Sequence, residues 1–339
     1  MENTTPRFLI AGQLTRDFII LPSGDTLLDV PGGNVLYAGV GLALWEPDPP
    51  PGILARVGED YPQGWLDKFQ QRGLDVRGVR ILPNAVDLRS FVAFTDWERR
   101  IDRDPVAHFA RLGLPFPKAL LGFHDESHTL DSRTNLQPTS LRQGDIPPDF
   151  MGATIAHLCP LDYLTHSVLP AILRQAQFTM ITLDPSPGYM NPTYWGDVPA
   201  LLTGLTAFLP SEEEVRSLFH GRCVDLWEMT EAMAAYGCEF IVIKCGERGQ
   251  LLYDSATRSR WEVPSYPVQV ANSIGAGDAF CGGFLAGYHR TFDPLMAVLH
   301  GNISASLVIE GHDPIYALDC LTGLPKARLD FLKDAVRKV

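Results

Sequence analysis

Long apolar runs and closely spaced cysteines are both missing from this sequence. It has no stretch of roughly 18 apolar residues that could cross a bilayer, and its opening MENTTPRFLIAGQL lacks the basic start and long apolar core of a secretory signal. The cysteines lie far apart, so no two of them form a zinc or redox motif. We therefore expect a cytoplasmic protein with reduced thiols and no membrane partner.

Positive charge is also scarce. The 339 residues contain 28 Lys and Arg against 40 Asp and Glu, which gives a net charge of −12. The electric field of this negative charge repels polyanions, so we expect no nucleic-acid partner. It does not exclude a small anion such as ATP, because backbone amides at a helix N-terminus hold phosphate inside acidic proteins.

The common nucleotide and metal motifs do not occur. The sequence has neither GxxxxGK[ST], nor GxGxxG after a strand, nor HExxH. The absence of these motifs argues against a P-loop enzyme, a dinucleotide-dependent dehydrogenase and a protein-bound transition metal.

Strands and helices alternate regularly from residue 154 onward. Apolar strand-like runs at 154–158, 178–184, 205–210 and 240–244 are separated by helical patterns, which predicts a parallel sheet. Earlier in the chain, the break at Gly32-Gly33 predicts a helix from Asn34. The whole pattern favours an α/β three-layer sandwich with a central, mainly parallel sheet.

Two early features carry polar residues of interest. Asp17 is predicted in a turn between two short strands, and residues 86–95 read as a half-exposed strand. Residues 96–148 have no clear period, which is typical of a functional or mobile segment such as a lid. We interpret Arg99, Arg100 and Arg103 within it as solvated surface rather than as an anion clamp.

The most informative segment is Gly275-Ala276-Gly277-Asp278, which runs into a buried helix. A Gly-x-Gly turn that opens a helix directs unpaired N–H groups and the positive end of the helix dipole at one point, which binds phosphate. A carboxylate beside that point is suited to accept the proton of a hydroxyl that attacks phosphorus. The alternative is a simple helix start whose acidic residue complements the dipole.

At this point the sequence resembles the ribokinase-like pfkB carbohydrate kinases. The run from Asn272 to Gly283 matches their C-terminal signature, and Gly32-Gly33 before a helix matches the N-terminal one. Further landmarks follow in order at Gly58-Glu59-Asp60, Glu214 and Gly246-Glu247-Arg248-Gly249. The resemblance implies one kinase domain over 1–339, with a small β lid contributed by about 12–34 and 86–135.

The resemblance also implies roles for the residues of the C-terminal signature. Asp278 would be the general base, and the amides of Gly275, Ala276 and Gly277 would form the anion hole for the phosphoryl group. The cofactors implied are ATP and Mg²⁺, with Glu214 helping to hold the metal through water.

Other positions match the binding sites of relatives. Asp17 and Gly33 match residues that bind sugar hydroxyls, and Asn34 is near enough to share that role. The nucleotide site would be lined by Lys244, Gly246, Gly249 and Ser211. Relatives often pair through their lids, which leaves a homodimer through the lid open.

Three departures alter what the resemblance implies. Ser211 stands where the family motif has Asn, so the magnesium network differs. Asn272 replaces an Asp linked to a monovalent-cation site, which argues against potassium activation. Tyr37 stands where ribokinases often carry Asn, which makes ribose itself a less secure substrate.

The resulting hypothesis is an ATP-dependent kinase that phosphorylates a hydroxyl of a sugar or sugar-like small molecule. Two alternatives stay open. A nucleoside kinase of the same family would need apolar or aromatic residues around the base, and a non-catalytic member would bind ligand without turnover.

Overall fold

The fold is built on one large sheet. The computed structural model describes residues 4–96, 99–124 and 130–339. From one edge to the other, the strands of the large sheet are β14 (Arg337–Lys338), β13 (Ser259–Val263), β12 (Gln250–Asp254), β11 (Phe240–Lys244), β10 (Ala207–Phe208), β9 (Met180–Leu183), β8 (Ile155–Leu158), β1 (Phe8–Ala11), β4 (Gly52–Val57) and β5 (Asp75–Ile81). The pairs from β11 to β5 are parallel, and the three strands beyond β11 are antiparallel.

Helices cover both faces of this sheet. They are α1 (Asn34–Ala43), α2 (Gln63–Gln71), α4 (Tyr163–Gln175), α5 (Val198–Leu202), α6 (Glu212–Leu218), α7 (Leu226–Ala234), α8 (Ala276–Thr291), α9 (Pro294–Val308) and α10 (Leu324–Lys333), while α3 (Pro105–Arg111) packs on the smaller sheet described below. Alternate strand residues point to opposite sides, so that Ile10 packs with α1, α8 and α9 while Leu9 packs with α4 and α7. The expected three-layer α/β sandwich is thereby confirmed.

The contact between α1 and α8 sets the position of the central site. The two helices approach so closely that a Cβ atom on Gly282 would lie 1.9 Å from the carbonyl oxygen of Ala38. Only glycine allows this approach. The starts of α1 and α8, which hold Gly33 and Asp278, are therefore held by one packed interface.

A second, smaller sheet forms the lid. Its order is β3 (Thr26–Gly32), β2 (Thr15–Ile20), β6 (Arg89–Phe94) and β7 (Arg100–Ile101). These strands cover fewer residues than the expected lid range of 12–34 and 86–135. Residues 97–98 and 125–129 of that range lie outside the described part of the chain. Asp131, within the expected lid range, accepts a hydrogen bond from the amide of Tyr163 at the start of α4.

Both faces of the lid sheet are apolar. On one face Phe18 and Phe91 pack beneath Phe109 of α3, and on the other Ile19 and Phe94 pack with Ile274, just before α8. The inward face therefore touches the loop that leads into α8.

Asp17 differs from the expectation of a turn. It lies within β2, at a register shift between Asp17 and Phe18 in the pairing with β3. Such a bulge re-aims one side chain without ending the strand, which local sequence pattern does not reveal.

The cysteines form no disulfide, and all six lie in described residues. Cys159, Cys238 and Cys281 are buried, whereas Cys223, Cys245 and Cys320 are half-buried. Among the described residues, no helix is both long and apolar enough to cross a bilayer.

Candidate active site

The start of α8 forms an open group of backbone amides. Gly275 precedes the helix with a φ of 77°, and a Cβ atom there would lie 2.1 Å from the ring of Tyr37. Within the described chain, no acceptor bonds the amides of Gly275 and Gly277, whereas that of Ala276 donates a long 3.4 Å bond to the Ser273 carbonyl. Two of the three amides expected in the anion hole are therefore free to bind an anion.

Asp278 stands in the first turn of α8, beside these amides. Burial raises the pKa of its carboxyl group, and the positive charges of Lys244 and Arg100 act in the opposite direction. Arg100 belongs to β7, so the charge of a lid residue reaches the candidate base. Arg100 is exposed, as the interpretation as solvated surface expects, and its charge nevertheless acts on Asp278.

Asp17 shares this environment. It is 5% exposed and accepts a 2.6 Å hydrogen bond from the Thr15 hydroxyl. Burial and, to a smaller extent, the charge of Asp278 raise its pKa to about 6, against the opposing effect of the Thr15 hydrogen bond. The charge of Asp278 acts on Asp17, which is consistent with both carboxylates lying near one site.

Gly33 and Asn34 support the floor of this site. A Cβ atom on Gly33 would lie 2.3 Å from the carbonyl oxygen of Gln13, so the chain passes too closely for a side chain. The Asn34 side chain accepts a 2.7 Å bond from the Gln13 amide and donates one of 2.7 Å to the Pro160 carbonyl. Both ends of its amide are thus engaged with protein atoms, which gives Asn34 a structural role and does not support the expected contact with substrate.

Lys244 is the last residue of β11, and its side chain reaches the start of α8. Its ammonium group hydrogen-bonds to Oδ2 of Asp184 and lies 3.7 Å from Sγ of Cys281. The position that a Cβ atom would take on Gly277 lies 3.4 Å from this ammonium. Burial lowers the pKa of Lys244, but the surrounding carboxylates and thiol outweigh it, so the group stays charged.

Ser211 and Glu214 form a reciprocal cap at the start of α6. Oε2 of Glu214 accepts 2.7 Å bonds from the Ser211 amide and hydroxyl, and Ser211 Oγ accepts one from the Glu214 amide. Burial raises the pKa of Glu214, with Lys244 and the Ser211 bonds opposing. Among the described residues, the side-chain bonds of Glu214 all use Oε2, which leaves Oε1 available.

Gly246 and Gly249 shape the turn between β11 and β12, where the Cys245 amide donates a 2.8 Å bond to the Gly249 carbonyl. This turn follows Lys244 directly and lies at the same end of the sheet. Its expected contact with a nucleotide stays a prediction.

Sequence reasoning did not assign Asp184 to the site. It is 2% exposed, ends β9 and pairs with Lys244 sixty residues away. The one available signal was its place at the carboxyl end of a predicted parallel strand, where open α/β sheets bind ligands.

Comparison with known proteins agrees with this geometry. Residues 156–319 match the family described as pfkB family carbohydrate kinase. This part of the chain is therefore similar to a pfkB carbohydrate kinase domain. It is 25% identical over 291 residues to the cytidine kinase of Thermococcus kodakarensis, covering 83% of this chain and 88% of that protein.

Solved structures share the fold of nearly the whole chain. The fructokinase of Vibrio cholerae, with fructose, ADP and calcium bound, has a TM-score of 0.70 at 19% identity and covers 96% of this chain and 99% of its own. A nucleoside kinase of Burkholderia thailandensis in complex with inosine has a TM-score of 0.66 at 18% identity, covering 96% and 98%. The ribokinase-like fold is thereby confirmed.

Proposed function

We propose that this protein is an ATP-dependent kinase that transfers the γ-phosphoryl group to a hydroxyl of a sugar or sugar-like molecule. The observation that carries the proposal is the convergence of Asp17, Asp278, Lys244 and the amides at the start of α8 on one site under the lid. The family match and the likeness to sugar and nucleoside kinases support the same reaction class.

Each group has a distinct chemical task in this proposal. Asp278 takes the proton of the acceptor hydroxyl, and its raised pKa brings it closer to the range in which a base works at neutral pH. The free amides of Gly275 and Gly277 stabilise charge on the transferred phosphoryl group. Asp17, which has no cation paired to it in the described structure, accepts hydrogen bonds from acceptor hydroxyls.

Magnesium fits the residues present. No group of three or more His, Cys, Asp or Glu side chains in the described part of the chain could hold a metal ion alone. That matches Mg²⁺, which takes one or two carboxylates and completes its shell with phosphates and water. We propose that Glu214 contributes through Oε1, and the ion, when bound, neutralises charge on the phosphates. A protein of E. coli described as a ribokinase II was solved with ATP and Mg²⁺.

A nucleoside is the second candidate acceptor. The lid face that looks inward is built from Ile19, Leu21 and Phe94, with Val92 and Ile274 packed against them. An apolar wall of this kind suits a nucleobase better than the hydroxyl groups of a free sugar. The long match to a cytidine kinase points in the same direction.

A screen for ADP release tests the function and separates these acceptors. Purified protein with ATP and Mg²⁺ is offered pentoses, hexoses, sugar acids, polyols, sugar phosphates and nucleosides, each with and without potassium. Acceptor-dependent ADP release that Asp278→Asn removes supports the proposal. If ADP release never depends on an acceptor while ATP still binds, the non-catalytic alternative is the correct one.

A further inference from the structure

Three buried polar side chains lie directly below the free amides of α8. Oδ2 of Asp184 accepts hydrogen bonds from the Lys244 ammonium and, at 3.4 Å, from the Cys281 thiol. Asp184 and Cys281 are buried, and the side chain of Lys244 is 14% exposed. The proposed reaction uses Lys244 but assigns no task to its two partners.

The contact between Asp184 and Lys244 joins the ends of two strands of the large sheet. Asp184 follows the last residue of β9, and Lys244 is the last residue of β11. The carboxyl ends of parallel strands open at one edge of the sheet, so both side chains enter the site from the same side. Gly277 lies above them, with no side chain between its backbone and the Lys244 ammonium.

Other carboxylates compete for this ammonium. The charges of Glu214, Asp278 and Asp184 all act with Lys244, and that of Asp184 is the strongest of the three on the Lys244 pKa. An ammonium on a flexible four-carbon stem moves toward whichever carboxylate is nearest. Without Asp184, Lys244 would be free to turn toward Glu214 or Asp278 and so leave its place beside Gly277.

Asp184 is also incompletely satisfied. Its Oδ1 is buried and has no hydrogen-bond partner among the described residues. A buried carboxylate with an unpaired oxygen is unfavourable for stability, so packing does not account for its presence. Holding a charged lysine in one place does account for it.

We propose that Asp184 is a positioning residue that keeps the Lys244 ammonium beside the amides of Gly275 and Gly277, where Lys244 contacts the phosphoryl group in transfer. This inference rests on the proposed kinase function. It places the contact at the terminal phosphate of ATP, which ADP lacks. Asp184 therefore acts on the discrimination between the two nucleotides and on turnover, rather than on acceptor binding.

Calorimetric titration with the β,γ-imido analogue of ATP and with ADP, both with Mg²⁺, tests the inference. We expect Lys244→Met to lose the tighter binding of the analogue by about tenfold or more, since a hydrogen bond to a charged group is lost. Asp184→Asn should lose most of the same preference. In turnover, both variants should lower kcat much more than they change the KM for the acceptor.

The double variant shows whether Asp184 works through Lys244. If it does, adding Asp184→Asn to Lys244→Met changes the nucleotide preference no further. Asp254→Asn is the matched control, because Asp254 is a buried aspartate at the end of β12 whose bonds go to Ala256 and Thr257. It should leave the preference unchanged.

Several results would overturn the inference. Additive effects in the double variant, or a folded Asp184→Asn protein with the wild-type preference, would show that Asp184 acts separately from Lys244 or not at all. If Asp184→Asn fails to fold, Asp184→Glu carries the test: it keeps the charge, so it should retain more of the preference than Lys244→Met, and equal loss would refute positioning. A wild-type chain that binds neither nucleotide refutes the kinase function itself, which is a distinct outcome.

Discussion

Two neighbouring glycines at the start of α8 allow the anion site to be tested with matched substitutions. Gly277 lies within the helix, and a methyl group there would meet the Lys244 ammonium at 3.4 Å, which is ordinary contact. Gly275 has a left-handed backbone, and a methyl group there would lie 2.1 Å from the Tyr37 ring. The same glycine-to-alanine change therefore has opposite consequences two residues apart.

The expected magnitudes follow from these contacts. Gly275→Ala takes on a left-handed conformation that costs about 1–2 kcal/mol and displaces a buried ring at about 1–3 kcal/mol, so stability should fall by roughly 2–5 kcal/mol. Gly277→Ala replaces a helical glycine with the best helix former, which stabilises by up to about 1 kcal/mol. Its methyl group, however, fills the space between the Gly277 amide and Lys244 where a phosphate oxygen would bind.

Thermal unfolding and nucleotide titration measure the two effects separately. Gly277→Ala should keep or raise the Tm while binding of the ATP analogue and kcat both fall at least tenfold, about the loss expected for one charged hydrogen bond. Gly275→Ala should lower the Tm by several degrees. If Gly277→Ala binds and turns over like the wild type, the phosphoryl group does not lie at these amides and the site has been misassigned.

Four further predictions test other parts of the site. Asp278→Asn should abolish most turnover while calorimetry still shows nucleotide binding, and near-normal activity would remove Asp278 as the base. The Asp17 pKa is about 6 in the folded chain, against an ordinary value of 3.8. The stability of the wild type relative to Asp17→Asn should therefore fall as the pH rises from about 4 to 6, which denaturant melts at several pH values check. The kcat/KM of the wild type should fall as the pH drops below 6, which initial rates at several pH values check. Arg100→Gln should raise the apparent pKa of the base in the pH–rate profile, since a positive charge is removed; an unmoved profile would exclude Arg100 from the site. Light scattering should show a monomer, because α3 covers the outward face of the lid sheet, where Phe18 and Phe91 pack with Phe109; a stable dimer would restore pairing through the lid.

The local elements of the site were predictable from sequence, and the long-range contacts were not. The turn and helix at Gly275 to Asp278 follow from adjacent residues, and so does the helix from Asn34 after two glycines. The partner of Lys244, in contrast, depends on two strand ends that meet only in the assembled sheet. Arg100 reaches the site because β7 pairs back on β6, which a charged sequence with no period does not indicate.

The balance of charge at the site explains why its groups behave as they do. Asp17, Asp184, Glu214 and Asp278 are gathered under the lid, and the positive charges that act on them come from Lys244 and, through the lid, Arg100. Burial raises the pKa of all four acids, and neighbouring carboxylates raise it further for Asp17 and Asp184. A bare triphosphate would add further negative charge to such a site, within a protein whose net charge is already −12. We therefore expect the nucleotide to enter together with a divalent cation. Arg100 is the second positive charge that acts on Asp278 and Glu214. Because Arg100 belongs to β7 of the small sheet, we expect nucleotide binding, metal binding and the position of the lid to be coupled through electrostatics.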